Sequence, residues 1–326
     1  MRDVSALIAR DSSNAALYQR RARLYLTLGQ GTRAVADANR VMMLDGPKAA
    51  SYVLRAQALR QAGRLKEAAA DCEEAGELGY DEPDLPLLRG ELAYIERRYQ
   101  PAMDYLNEAL KRSPFEEKAY FYKGLIYAES GDTARAISNL QTATEQAPNM
   151  ADGFSHLAAI YNAKKDYATA RQYLNAGLRL SPDDGFLYYN IGVNLVLQHL
   201  PDSAIQAFAR AARLDTTLYL AHLNAGVLQY ERNRFAPAAR HLRTMLRLSP
   251  VPPPNTRLML ADCLDRLGQY RAAAREYAAA AKEEPGDARI SQRLAAARSR
   301  FRQQQADSAA GRPSRVASLD SLRKIR

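Results

Sequence analysis

His156, Asn190 and Asn224 are equally spaced along the chain. A carboxamide holds donors and an acceptor in one group. Amides repeated at a fixed interval can therefore pair with the N–H and C=O groups of an extended backbone without reading its side chains. Six aromatic residues, Tyr94, Phe121, Tyr122, Phe186, Tyr189 and Tyr230, recur in the same stretch of chain and could supply broad apolar anchors. The chemistry these residues offer is recognition. Catalytic groups are not gathered in the same way: no G-x-x-x-x-G-K-[ST], G-x-G-x-x-G or G-x-S-x-G occurs. His156, His199, His222 and His241 are scattered, with no pair at metal-ligand spacing and no neighbouring Cys cluster. The expectation is a protein without metal, cofactor or enzymatic activity.

The elements that must position these residues are legible as a repeat. The interval between Asn190 and Asn224 also separates Gly29 from Gly63, and Gly131 follows Gly63 by twice that interval. Pro114, Pro148 and Pro182 fall at the same step, with Pro250 two steps on. The phase holds for seven units starting at Ala15, Ala49, Pro83, Glu117, Ala151, Gly185 and Tyr219, and an eighth starts at Pro254, slightly out of phase. That slip coincides with Val251-Pro252-Pro253-Pro254, which proline keeps extended. Within a unit a large residue is followed four places on by a small one: Tyr18 and Ala22, Tyr52 and Ala56, Tyr120 and Gly124, Phe154 and Ala158, Tyr188 and Gly192. In the fourth unit Tyr127, Ala136, Leu140 and Pro148 complete the pattern. Small residues let two helices approach closely, and one pair cannot bury its own apolar face, so neighbouring pairs must stack.

This pattern resembles the tetratricopeptide repeat, a helix-turn-helix of about 34 residues. The resemblance implies an all-α, right-handed superhelical solenoid. Its expected parts are the end of a partial upstream repeat helix (1–14), eight repeats (15–287), a capping helix (288–303) and a disordered basic tail (304–326). The capping helix is expected to expose Arg289, Arg293, Arg298, Arg300 and Arg302. The resemblance also implies that first-helix positions 2, 5, 6, 9, 12 and 13 line a concave groove. Tyr94, Phe121, Tyr122, His156, Phe186, Tyr189, Asn190, Asn224 and Tyr230 fall there and are the expected partner-binding residues. The seventh position departs from the family's usual Leu: it is Arg21, Arg55, Arg89 and Lys123 in the first four units. Asp37 and Asp71 follow the first two at a spacing of sixteen, so Arg21 with Asp37 and Arg55 with Asp71 are expected as structural ion pairs, because an unpaired half-buried charge is costly. The chaperone-binding carboxylate clamp, which needs Lys and Asn at set positions, is not matched, since the fifth position reads Gln19, Val53, Leu87, Phe121, Ser155, Tyr189, Leu223 and Leu258.

Charge limits the partners. The chain of 326 residues carries a formal +10, of which residues 286–326 hold +7. The groove positions hold five basic and seven acidic residues, so nucleic acid is not expected there. No stretch reaches the ~18 uncharged apolar residues of a membrane helix. Cys72 and Cys263 lie six units apart and are expected as buried, unbridged thiols. The expected function is a non-catalytic scaffold for a protein or peptide partner. Two alternatives stand beside it: nucleic-acid or anionic-surface binding through the basic tail, and the regulatory array of an enzyme whose catalytic domain is absent from this chain. The expected compartment is a bacterial cell envelope, with the cytoplasm as the alternative.

Overall fold

A computed structural model describes residues 2–249 and 251–310. Eighteen α-helices and no strand occur among the described residues. α1 (Arg2–Arg10) precedes α2 (Ala15–Thr27) and α3 (Gly31–Asp45), α4 (Ala49–Gln61) and α5 (Leu65–Glu77), α6 (Asp84–Ile95) and α7 (Tyr99–Arg112), and α8 (Glu117–Glu129) and α9 (Thr133–Gln146). Then come α10 (Ala151–Ala163) and α11 (Tyr167–Leu180), α12 (Gly185–Leu197) and α13 (Pro201–Leu214), α14 (Tyr219–Glu231) and α15 (Phe235–Leu248), and α16 (Thr256–Arg266) and α17 (Tyr270–Glu283). α18 (Ala288–Ala309) closes the series. Residues up to Ile160 form one compact unit and those from Tyr161 a second. Within each unit a helix packs on those before and after it, and first helices also touch one another, as α4 touches α6 and α14 touches α16.

Each pair turns on one left-handed residue at the fifteenth place of its repeat. Gly29, Gly63, Gly131 and Gly268 fill it in four repeats, and Arg97, Lys165, His199 and Asn233 fill it in the other four, with φ between 57° and 83° throughout. The next backbone N–H then reaches back to the end of the first helix, as Arg64 N does to Leu59 O at 2.9 Å and Asp166 N to Tyr161 O at 2.9 Å. This bond and its shorter companion satisfy helix carbonyls that would otherwise be orphaned, which defines the Schellman ending. The glycine ruler is thus a conformational requirement that four repeats meet with a strained side-chain-bearing residue.

The small eighth position decides how closely the pair packs. A Cβ added at Gly124 would lie 2.7 Å from Leu140, and one at Gly192 would lie 2.5 Å from the Phe208 ring. Leu140 and Phe208 are themselves wholly buried, so each glycine makes the room that its partner's side chain fills. Cys72 and Cys263 are buried free thiols, and desolvation pushes both up to about 12. They are packing residues rather than nucleophiles.

The C-terminal boundary needs correction. The last helix does not stop at 303 but continues to Ala309. Gln303, Gln304, Gln305 and Ala306 are good helix formers, with no breaker before Gly311 and Pro313. Gln303 bonds Asp307 at 3.0 Å, and Gln304 reaches Gly268 O at 3.5 Å, tying the extension to the preceding pair. The remainder of the expected tail, 311–326, lies outside the described residues. No described helix is long and apolar enough to cross a membrane.

Candidate functional site

In the first unit α6 and α8 bring Tyr94, Phe121 and Tyr122 into one aromatic cluster, joined by His156 from α10. Ring centroids of Tyr94 and Tyr122 are 5.4 Å apart, Phe121 and Tyr122 5.5 Å, and Phe121 and His156 5.6 Å. The clustering follows from the repeat: equivalent faces of successive first helices must meet. Tyr94 donates to Glu129 Oε1 at 2.8 Å, and Tyr99 donates to the carboxylate's other oxygen. The two phenols hold Glu129 below its usual range, while burial and this bond push the Tyr94 phenol up. Tyr122 is half-buried against the core and its phenol is likewise raised by burial. His156 presents an exposed side chain, yet desolvation by the surrounding protein lowers its pKa, with Asp152 opposing.

The second unit places Phe186, Tyr189 and Asn190 on α12, and Asn224 and Tyr230 on α14. Phe186 stacks on Tyr189 at 5.9 Å, and Tyr189 leans on buried Phe208 at 5.6 Å. Phe186 remains 43% exposed, and Val196 and Leu197 on the same helix are exposed too, so α12 offers open apolar surface. Asn224 Nδ2 donates weakly to the Tyr189 hydroxyl at 3.4 Å. The Asn190 carboxamide nitrogen is buried and meets no acceptor among the described residues. Leaving such a donor unsatisfied costs about 1 to 3 kcal/mol.

Tyr230 plays a different part. Its hydroxyl donates to Asp262 Oδ2 at 2.9 Å, Tyr277 donates to Oδ1 at 2.6 Å, and Arg293 Nη1 lies 2.6 and 2.8 Å from the two oxygens. Tyr230 is therefore committed to a polar knot on the wall of a cleft of about 610 Å³ between α14, α16 and α18. The same pairing changes how the α18 arginines read. They are exposed as expected, but Arg289, Arg293 and Arg300 pair with Asp287, Asp262 and Asp265, which lessens the free positive charge of that helix.

At the seventh position Arg21 Nε and Nη2 donate to the two oxygens of Asp37, each at 2.7 Å, and Arg55 does the same to Asp71. Both carboxylates are buried, and the bonds hold both guanidinium pKa values above their ordinary range. These residues stabilise the stack and present no open chemistry.

Matches to the tetratricopeptide repeat family cover residues 53–117, 127–191 and 189–251, more than half of the chain. The chain belongs to the tetratricopeptide repeat family. As a tetratricopeptide repeat protein it resembles protein O-mannosyl-transferase TMTC1 of Homo sapiens, 25% identical over 165 residues, 49% of this chain and 19% of that protein. It also resembles the Hsp70-Hsp90 organizing protein of Triticum aestivum, 23% identical over 124 residues, 37% of this chain and 21% of that protein. The chain thus spans about a fifth of the length of these relatives. Among solved structures it is similar to the APC/C Cut9-Hcn1 hetero-tetramer, with a TM-score of 0.61 at 17% identity, covering 91% of this chain and 58% of that one. PilF of Pseudomonas aeruginosa gives 0.56 at 17% identity, covering 65% and 96%. These likenesses concern the fold.

Several polar groupings of this tetratricopeptide repeat protein are not apparent from period alone. Asn194, wholly buried, donates to Asn162 Oδ1 at 2.7 Å and to Tyr167 O at 3.1 Å, while Gln198 donates to Asn194 Oδ1. His222 and His241 bring their Nδ1 atoms within 3.0 Å. Their separation in sequence carries no metal or catalytic signal but joins the two helices of one repeat. Asp262, Glu91 and Arg60 are groove charges by repeat phase alone, and their partners lie on other helices.

Proposed function

We propose that this chain is a non-catalytic interaction scaffold that binds an extended segment of a protein partner along the concave faces of its first helices. The observation that carries the reading is the buried, unpartnered Nδ2 of Asn190, on the helix that also exposes the ring of Phe186. An extended peptide offers a backbone carbonyl to that amide and apolar side chains to the exposed ring. The family supports the protein-binding class, since tetratricopeptide repeats bind protein partners.

A random nonapeptide library selected on the immobilised full chain tests this. Selected peptides should carry large apolar residues, and Asn190→Ala should weaken the best of them about five- to tenfold, the value of one well-made hydrogen bond. Unchanged helicity by circular dichroism would show that the array is intact. Selection that is indifferent to Asn190→Ala and to Phe186→Ala would remove the site.

A further inference from the structure

Glu91 is 4% exposed, lies on α6 and lines a cleft of about 480 Å³ between the first helices of the first unit. No hydrogen bond reaches its carboxylate among the described residues. Its one close cation is Arg60, whose Nε lies 3.0 Å from Oε2 without the alignment of a hydrogen bond. Two turns before Glu91 on the same helix, Asp84 lines the same cleft. Its Oδ1 is buried and unpartnered, and its Oδ2 receives only long bonds of 3.4 Å from Gln57 and Tyr80. Glu116 lies on the wall too, and Lys118 adds the only other cation there. Three carboxylates therefore share two cations in a partly dehydrated hollow.

Buried carboxylates in stable sites are normally paired and fully hydrogen-bonded. Here Glu91 has its Arg60 cation but no aligned hydrogen bond, Asp84 keeps one oxygen unpartnered, and burial holds both Glu91 and Glu116 above their ordinary range despite the nearby cations. Adding a guanidinium or ammonium group beside Glu91 would supply an aligned donor to its carboxylate and balance the third negative charge of the cleft. At about 480 Å³ the cleft has volume enough for the end of one long side chain. We infer that the cleft walled by Glu91, Asp84 and Arg60 is a specificity pocket for a lysine or arginine side chain of a segment bound along the first helices of the first unit. The inference rests on the proposal that first-helix faces take an extended peptide, and it adds the chemical class of one side chain.

The same nonapeptide library, selected on the full chain and sequenced by mass spectrometry, tests it. With wild-type protein, Lys and Arg should be enriched at one position at least about fivefold over Leu and Glu. Glu91→Gln, nearly isosteric, should bring that enrichment within about twofold while apolar enrichment at other positions persists. Lys118→Ala, an exposed change at the rim, should raise the cation preference, because it removes a competing charge without touching the core. Apolar enrichment without any cation preference in the wild type would overturn the pocket and leave peptide binding standing. A cation preference that survives Glu91→Gln would overturn it as well, and no enrichment at any position would remove both readings.

Discussion

Arg55 reaches Asp71 in its own repeat with two bonds of 2.7 Å while its remaining nitrogen donates to Asn39 of the preceding repeat at 3.1 Å. The same connection recurs along the first unit. Arg21 joins Asp37 to Ser5, Arg89 reaches Glu73 and the Cys72 carbonyl, and Lys123 reaches Asn107. In each case a cation at the seventh place reaches the helix that precedes its own repeat. Later repeats put buried Leu157 and Ile191 at this place instead. The first four repeats are thus pinned to their predecessors by directional bonds where the next two use apolar packing.

Asp71→Ala should destabilise the first unit by about 2 to 3 kcal/mol, because it strands a half-buried guanidinium rather than merely deleting one contact. Replacing both partners, Arg55→Met with Asp71→Leu, should recover most of that loss. Hydrogen exchange of α4 and α5 peptides reads the effect locally, at the repeat that holds the pair. An equal loss in the single and double variants would mean that the pair contributes by attraction alone.

The fold was legible because every repeat restates one packing problem. Gly90, Gly124, Gly192 and Gly226 each sit where a Cβ would strike the partner helix's Leu106, Leu140, Phe208 or Leu242, and spacing alone exposes such a rule. The Arg–Asp pairs were legible for the same reason, since a charge in a normally apolar place demands a partner at a fixed offset. Site chemistry was less legible. Tyr230 counts as a groove aromatic by position, yet the contributions of Tyr277 and Arg293 to the same carboxylate come from other helices with no periodic signature. The length of α18 was missed because its end depends on helix propensity and a tie to Gly268 rather than on repeat phase.

Lys165 holds φ at 61° and Arg97 at 60°, places that glycine fills in four other repeats. Lys165→Gly should raise stability by about 0.5 to 1 kcal/mol, because relief of left-handed strain, about 1 to 2 kcal/mol, exceeds the added freedom of the unfolded chain. A higher urea midpoint is expected, with Arg97→Gly giving a similar gain; a lower midpoint in both would show that the strain is already relieved in place.

Gly192→Ala should cost about 1 to 3 kcal/mol by driving a methyl group into the Phe208 ring. Because Tyr189 leans on that ring, the change should also disturb the apolar face of α12. Phe208→Leu in the same chain makes room for the methyl, so the double variant should be more stable than the sum of the singles predicts by about 1 kcal/mol. Strict additivity in thermal denaturation would place the relaxation elsewhere in the repeat.

His222 and His241 face each other through Nδ1, an arrangement that needs one donor and one acceptor. Desolvation lowers both pKa values. Arg247 adds to the effect at His222; at His241 the facing His222 and then Arg240 add to it, giving a value of about 4. Above about pH 6.5 unfolded histidine is neutral as well, so protonation costs the fold nothing. As pH falls through 6.5 the unfolded chain takes up a proton that folded His241 refuses until about pH 4. Stability conferred on this repeat should therefore decline across that window and level off below it. His241→Gln keeps a hydrogen-bonding partner for His222 but does not titrate. The difference in urea midpoint between wild type and this variant should shrink or reverse between pH 7 and pH 4.5, whereas a constant difference would mean that the pair does not refuse protons in the folded chain.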